Sequence, residues 1–197
     1  QLPLRSDMKF EDMIARWEES CKNANCNYLQ IGYDYFRQMK QYQRAINAKP
    51  LFIQHALKLC KGRAVVYIDG DMFVRKYPKI FDMENIDFMS RGWNVDPRAS
   101  WRFTEAIHYN PYKFETSGGI MYFSPTKESE RLIDLWVEVS ANPENSGKAD
   151  DRILSMLFNM KKYLLNMTVI QLPVEYLWLT LDYDDRLLEH SYDWDYQ

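Results

Sequence analysis

The sequence predicts an α/β domain with a mostly parallel central sheet flanked by helices. Three observations point there. Apolar runs of strand length alternate with segments whose apolar residues recur at helical spacing, the pattern of a sheet with helices packed on it. One of those runs, Ala64 to Ile68, is almost continuously apolar, as in a strand covered on both faces. The size suits a single domain over residues 1–197, because a chain this long with 46% hydrophobic residues can bury a sizeable core.

The elements follow in order. Gln1 to Leu4 reads as the tail of a first strand, and Asp7 as the cap of a helix in which Phe10, Met13, Ile14, Trp17 and Cys21 share a face. Asn27 to Asp34 reads as a short strand ending in a loop. Pro50 suits the first turn of a second helix, whose face is Ile53, Ala56, Leu57 and Cys60 and whose end is marked by Gly62. The strand at Ala64 to Ile68 comes next. Residues 82–112, rich in aromatic and polar side chains, read as a long functional loop with short strands. Gly119 to Ser124 is another strand. Thr126 caps a helix carrying Leu132, Leu135, Trp136 and Val139, Asp150-Asp151 opens a helix through about Lys161, and Met167 to Leu172 is the last strand.

Composition narrows the function. A 15% aromatic content excludes a disordered chain, and a net charge of -3 gives no footing for a broad nucleic-acid surface, so no nucleic-acid partner is expected. No apolar run reaches the roughly 18 residues that span a bilayer, and no basic-then-apolar leader opens the chain, which starts at Gln1 and is compatible with a piece of a longer protein. Cys21, Cys26 and Cys60 are odd in number and lack the paired spacing of a zinc site. They read as reduced thiols and fit a cytoplasmic location. The Asn166-Met167-Thr168 sequon reads as chance.

The stretch AVVYIDGDMFV (64–74) carries the chemistry: Asp69 and Asp71, separated by Gly70, follow the apolar strand directly. Ligands of α/β sheets bind beyond the carboxyl ends of strands. In extended backbone the two carboxylates point to one side and repel, a conflict that a divalent cation removes. Oxygen-only ligands suit Mn²⁺ or Mg²⁺, which often complete their shell with phosphate oxygens. Gly70 leaves room for a ligand beside the backbone. The plainer reading of Asp-Gly is a turn.

VVYIDGDMFV resembles the Asp-x-Asp region of GT-A fold glycosyltransferases that use nucleotide diphosphate sugars. The order of motifs extends the resemblance over roughly residues 27–175: KPLFI (49–53) before a helix, the strand and DGD, ETSGGIMYF (115–123), and DDRIL (150–154), with Arg152 where the family has Gln. With no membrane span expected, the chain looks more like the soluble bacterial and large-DNA-virus enzymes, including the chlorella-virus type. The resemblance implies a GT-A domain that transfers a sugar to a glycan or other hydroxyl acceptor, with Asp69 and Asp71 holding the metal and His190 as a C-terminal third ligand. Leu4, Arg5, Ser6, Tyr33 and Asp34 would lie near the base. Lys49 either faces phosphates or is solvated, and Ser117, Gly118 and Gly119 either admit sugar hydroxyls or form a tight turn. Asp150 and Asp151 either complement a helix N-terminus or, for Asp151, bind and deprotonate the acceptor. Glu115, His108, Arg91, Trp93, Arg98 and Trp101 are further loop candidates, and His55 reads as structural. The rival functions are a sugar nucleotidyltransferase and a non-catalytic nucleotide-sugar-binding domain.

Overall fold

A computed structural model describes residues 10–30, 45–70, 72, 74–92, 114–160, 166–173 and 176. Helix α1 (Phe10–Asn23) forms where the apolar spacing predicts a helix, its expected cap Asp7 lying outside the described residues, and ends in a left-handed Asn25, φ 53°, with Asn25 N–H donating to Lys22 O (3.0 Å) and Cys26 N–H to Cys21 O (2.9 Å). That pair of bonds is a Schellman-type close. The strand expected from Asn27 is not formed over residues 27–30, and residues 31–34 lie outside the described residues.

A 3₁₀ turn, Ala45–Ala48, leads into α2 (Lys49–Cys60), with Pro50 in its first turn and Ile53 and Ala56 buried. Lys61 (φ 30°) and Gly62 (φ 75°) end it, as the glycine suggested. The strands are β1 (Val65–Ile68), β2 (Phe88–Gly92), β3 (Thr116–Phe123) and β4 (Val169–Leu172). Thr126 caps α3 (Lys127–Ala141) by accepting Ser129 N–H at 3.3 Å. Helix α4 (Asp150–Asn159) stops short of the expected end.

The sheet runs β1-β3-β2-β4. It is mixed, not mostly parallel: β3 is antiparallel to both β1 and β2, and only the β2–β4 pairing is parallel among the described residues. The expectation failed because an unbroken apolar run reports coverage of the two faces and carries no information on strand direction. Even coverage is incomplete here, since Val65 to Ile68 are all half-buried. β2 lies inside the stretch 82–112 read as a long loop with short strands. Its Phe-Met-Ser-Arg-Gly sequence lacks a strand pattern, yet all five residues are buried between β3 and β4, with a register shift between Ser90 and Gly92.

One sheet face packs Phe88, Met121 and Phe123 against Ile53 of α2, Leu132, Ile133 and Trp136 of α3, and Ile153, Leu154 and Leu157 of α4. The other face gathers Met89, Ile120, Tyr122 and Leu172, with Phe81 stacked on Tyr122 at 5.7 Å. The three helices on the first face fix where their N-termini fall, and two of those termini frame the site. Among the described residues no helix is long and apolar enough to cross a membrane.

Candidate functional site

Strands β1, β2 and β4 run in one direction, so their carboxyl ends share an edge of the sheet with the start of β3. At that edge the Lys49 ammonium, on the first residue of α2, sits among three acceptors: Gly118 O of β3 at 2.9 Å, Asp69 Oδ1 after β1 at 3.2 Å, and Asp150 Oδ2, on the first residue of α4, at 2.5 Å. The Asp150 contact is an ion pair rather than a well-angled hydrogen bond. A lysine at a helix N-terminus opposes the helix dipole, and the two carboxylates offset that cost. Its side chain is 10% exposed, that of Asp150 9% and that of Asp69 36%. The Asp150 pair is therefore the desolvated one, and the Asp69 pair is screened by water.

Tyr67 completes the group. Side chains alternate along β1, so Tyr67 shares a face with Asp69, and its hydroxyl donates to Asp69 Oδ1 at 2.7 Å. Its ring lies 4.9 Å from Lys49 Nζ and edge-on to Phe52. Burial, then the neighbouring Asp69, hold the phenol far above its ordinary range, so it stays a donor. Both contacts to Asp69 fall on Oδ1 and neither on Oδ2.

Extended backbone ends at this point. Met72 N–H donates to Asp69 O at 3.0 Å, closing a turn over residues 69–72, while Asp69 N–H donates to Gly119 O at 2.9 Å. Strand β1 ends at Ile68 and the Asp69–Met72 bond matches the turn reading of Asp-Gly, while Asp71 itself lies outside the described residues. A Cβ built on Gly70 meets nothing within 4 Å, so that side of the turn is open. The chain beyond is tied to α1, with Val74 N–H donating to Ser20 Oγ at 3.1 Å.

Gly118 is tightly faced by two side-chain ends. A Cβ there would sit 2.8 Å from Asp150 Oδ2 and 3.0 Å from Lys49 Nζ. On the Cβ side Gly118 faces the Lys49–Asp150 pair, and Ser117, Gly118 and Gly119 lie within strand β3 rather than in a tight turn. Ser117 is buried, and its Oγ accepts Gly119 N–H at 3.2 Å. Lys49 is not solvated, because its ammonium is held by protein acceptors.

Helix α4 is bolted to β3. Thr116 N–H donates to Ser155 Oγ (2.9 Å), and the Thr116 and Ser155 hydroxyls both donate to Asp151 O (3.1 and 2.7 Å). Ala149 is the N-cap, and no side chain caps the helix, so Asp150 and Asp151 stand in its first turn without capping it. Both are buried. His55 lies half-buried within α2, as a structural histidine would. Leu4, Arg5, Ser6, Tyr33, Asp34, Asp71, His108 and His190 lie outside the described residues.

Among the described residues no group of three or more His, Cys, Asp or Glu is placed to hold a metal ion. The donor chemistry nevertheless suits a hard divalent cation. Asp69 has an oxygen, Oδ2, that contacts neither Tyr67 nor Lys49, and Mg²⁺ is commonly held by one or two carboxylates together with substrate phosphates. No family model matches the chain, no curated protein matches it, and no solved structure matches it.

Proposed function

We propose that this chain is a metal-dependent glycosyltransferase of GT-A organisation, moving a sugar from a nucleotide diphosphate sugar to a hydroxyl acceptor. The observation that carries the proposal is convergence. Lys49, Asp69, Gly118 and Asp150 come from four separate segments, yet they meet within hydrogen-bonding distance at the carboxyl end of β1. A structural ion pair needs two residues; here a strand end, a glycine and two helix N-termini are spent on one polar cluster.

Asp69 and Asp71 would hold Mn²⁺ or Mg²⁺, with His190 as a third ligand, and the bound ion would neutralise charge building on the diphosphate leaving group. Tyr67 fixes Asp69 by its hydroxyl, leaving Oδ2 for the ligand side. Asp151, held on the first turn of α4 by Thr116 and Ser155, orients the acceptor hydroxyl and takes its proton. The free thiols of Cys21, Cys26 and Cys60 fit a reducing, cytoplasmic setting.

A thermal-shift screen of nucleotide sugars with and without Mn²⁺ tests the reading. Stabilisation by at least one nucleotide sugar, larger with Mn²⁺, is expected. In the donor so identified, Asp151→Asn should bind normally and lose transfer by about 10²-fold, the usual scale for a missing general base. If Asp151→Asn fails to bind donor, the residue belongs to the nucleotide side; if no nucleotide sugar shifts the melting point, the proposal falls.

A further inference from the structure

We propose that Lys49 is a resident counter-ion that makes the site select a divalent cation already complexed to diphosphate over the free cation. The inference rests on the reading of Asp69 as a metal-side carboxylate and goes beyond it.

The Lys49 ammonium contacts both carboxylates at once, Asp69 at 3.2 Å and Asp150 at 2.5 Å. Two carboxylates and one ammonium leave the trio a single negative charge. Gly118 O and the Tyr67 ring hold the ammonium in place, and a 10% exposed side chain has little water to replace these partners. A free divalent cation approaching Asp69 meets a carboxylate whose attraction is weakened by a fixed positive charge 3.2 Å away. A cation carrying diphosphate arrives with net negative charge, so the same ammonium attracts the complex as a whole. Lysine acts here as a point charge and needs no direct bond to phosphate. The sign of its effect is therefore opposite for the two ligands.

The charge of the trio can be stepped both ways. Lys49→Met raises it to two negative charges, and Asp150→Asn brings it to neutral, while Asp71 and Asp151 contribute equally throughout. Calorimetry at pH 7.5 and low salt, with Mn²⁺ alone and with Mn²⁺–pyrophosphate as probes, reads the outcome without knowledge of base or sugar. Expected for Mn²⁺ alone is tighter binding in Lys49→Met and weaker binding in Asp150→Asn. Expected for Mn²⁺–pyrophosphate is the reverse order. Each step should be about tenfold, the scale of one unit charge at an effective dielectric near 20 after partial screening. If Lys49→Met does not fold, Asp150→Asn alone decides by its two opposite shifts. Variants that weaken, or leave unchanged, both probes together overturn the counter-ion role while leaving the donor site standing. Wild-type protein that binds neither probe overturns the donor site itself, and the inference with it.

Discussion

Asp87 stands at the amino end of β2 and Asp69 beyond the carboxyl end of β1, so the two carboxylates occupy opposite edges of one sheet and are satisfied in different ways. Asp87 is 9% exposed and uses both oxygens on neutral donors fixed by the fold: Thr126 Oγ1 at 2.6 Å and the Thr168 N–H at 2.7 Å. Its own carbonyl accepts from Ser124 and Ser129. It ties β2, the cap of α3 and the entry to β4 into one joint. Asp69 uses Oδ1 alone, shares it between a tyrosine hydroxyl and a lysine, and is 36% exposed. A carboxylate saturated by neutral, immobile donors closes a structure. One that is half-satisfied, exposed and paired through a contact that water screens stays available to exchange partners.

Substitution should split the two roles. Asp69→Ala is expected to lower transfer by about 10³-fold, the scale of losing several kcal/mol of metal-borne charge stabilisation, while unfolding stability falls by about 1 kcal/mol, for one part-buried hydrogen bond from Tyr67 and a screened pair. Asp87→Ala should do the opposite. It strands two buried donors at about 1–3 kcal/mol each, so denaturant unfolding should show a loss of about 2–6 kcal/mol, with transfer per folded molecule within about twofold of wild type. Equal effects of the two substitutions on transfer would erase the distinction.

Gly118→Ala sharpens the comparison from the backbone side. Its Cβ must displace Asp150 Oδ2 or Lys49 Nζ, so a loss of about 1–3 kcal/mol in stability is expected. Weaker binding of the nucleotide sugar should accompany it. An alanine variant with unchanged melting temperature and unchanged donor affinity would show that the Lys49–Asp150 pair has slack and does not set the site.

The helices were legible in the sequence from local signals: Pro50 in the first turn of α2, Thr126 at the cap of α3, apolar spacing in α1, and the Asp150-Asp151 pair that opens α4. β3 and β4 were legible from their apolar content. β2 was not, because Ser90 and Arg91 interrupt the pattern and its burial comes from the strands on either side of it. Strand direction was likewise a tertiary property. At the site, Asp69 and the Asp150-Asp151 pair stood out as motifs, but their meeting through Lys49 spans distant segments and no local spacing encodes it. Tyr67 was missed although its signal was present: two residues before Asp69 on the same strand, it had to share the aspartate's face. Asp87 was missed because its partners, Thr126 and Thr168, lie far along the chain.

The most direct test of the account is calorimetry of the wild-type protein with a panel of nucleoside diphosphates, in Mn²⁺ and in chelator. If Asp69 and the ion grip the diphosphate together, each ligand tightens the other by the same factor. At least one nucleoside diphosphate should bind about tenfold or more tightly in Mn²⁺, and Asp69→Asn should abolish that difference. Equal affinity in Mn²⁺ and in chelator, or a metal dependence that survives Asp69→Asn, would contradict the account.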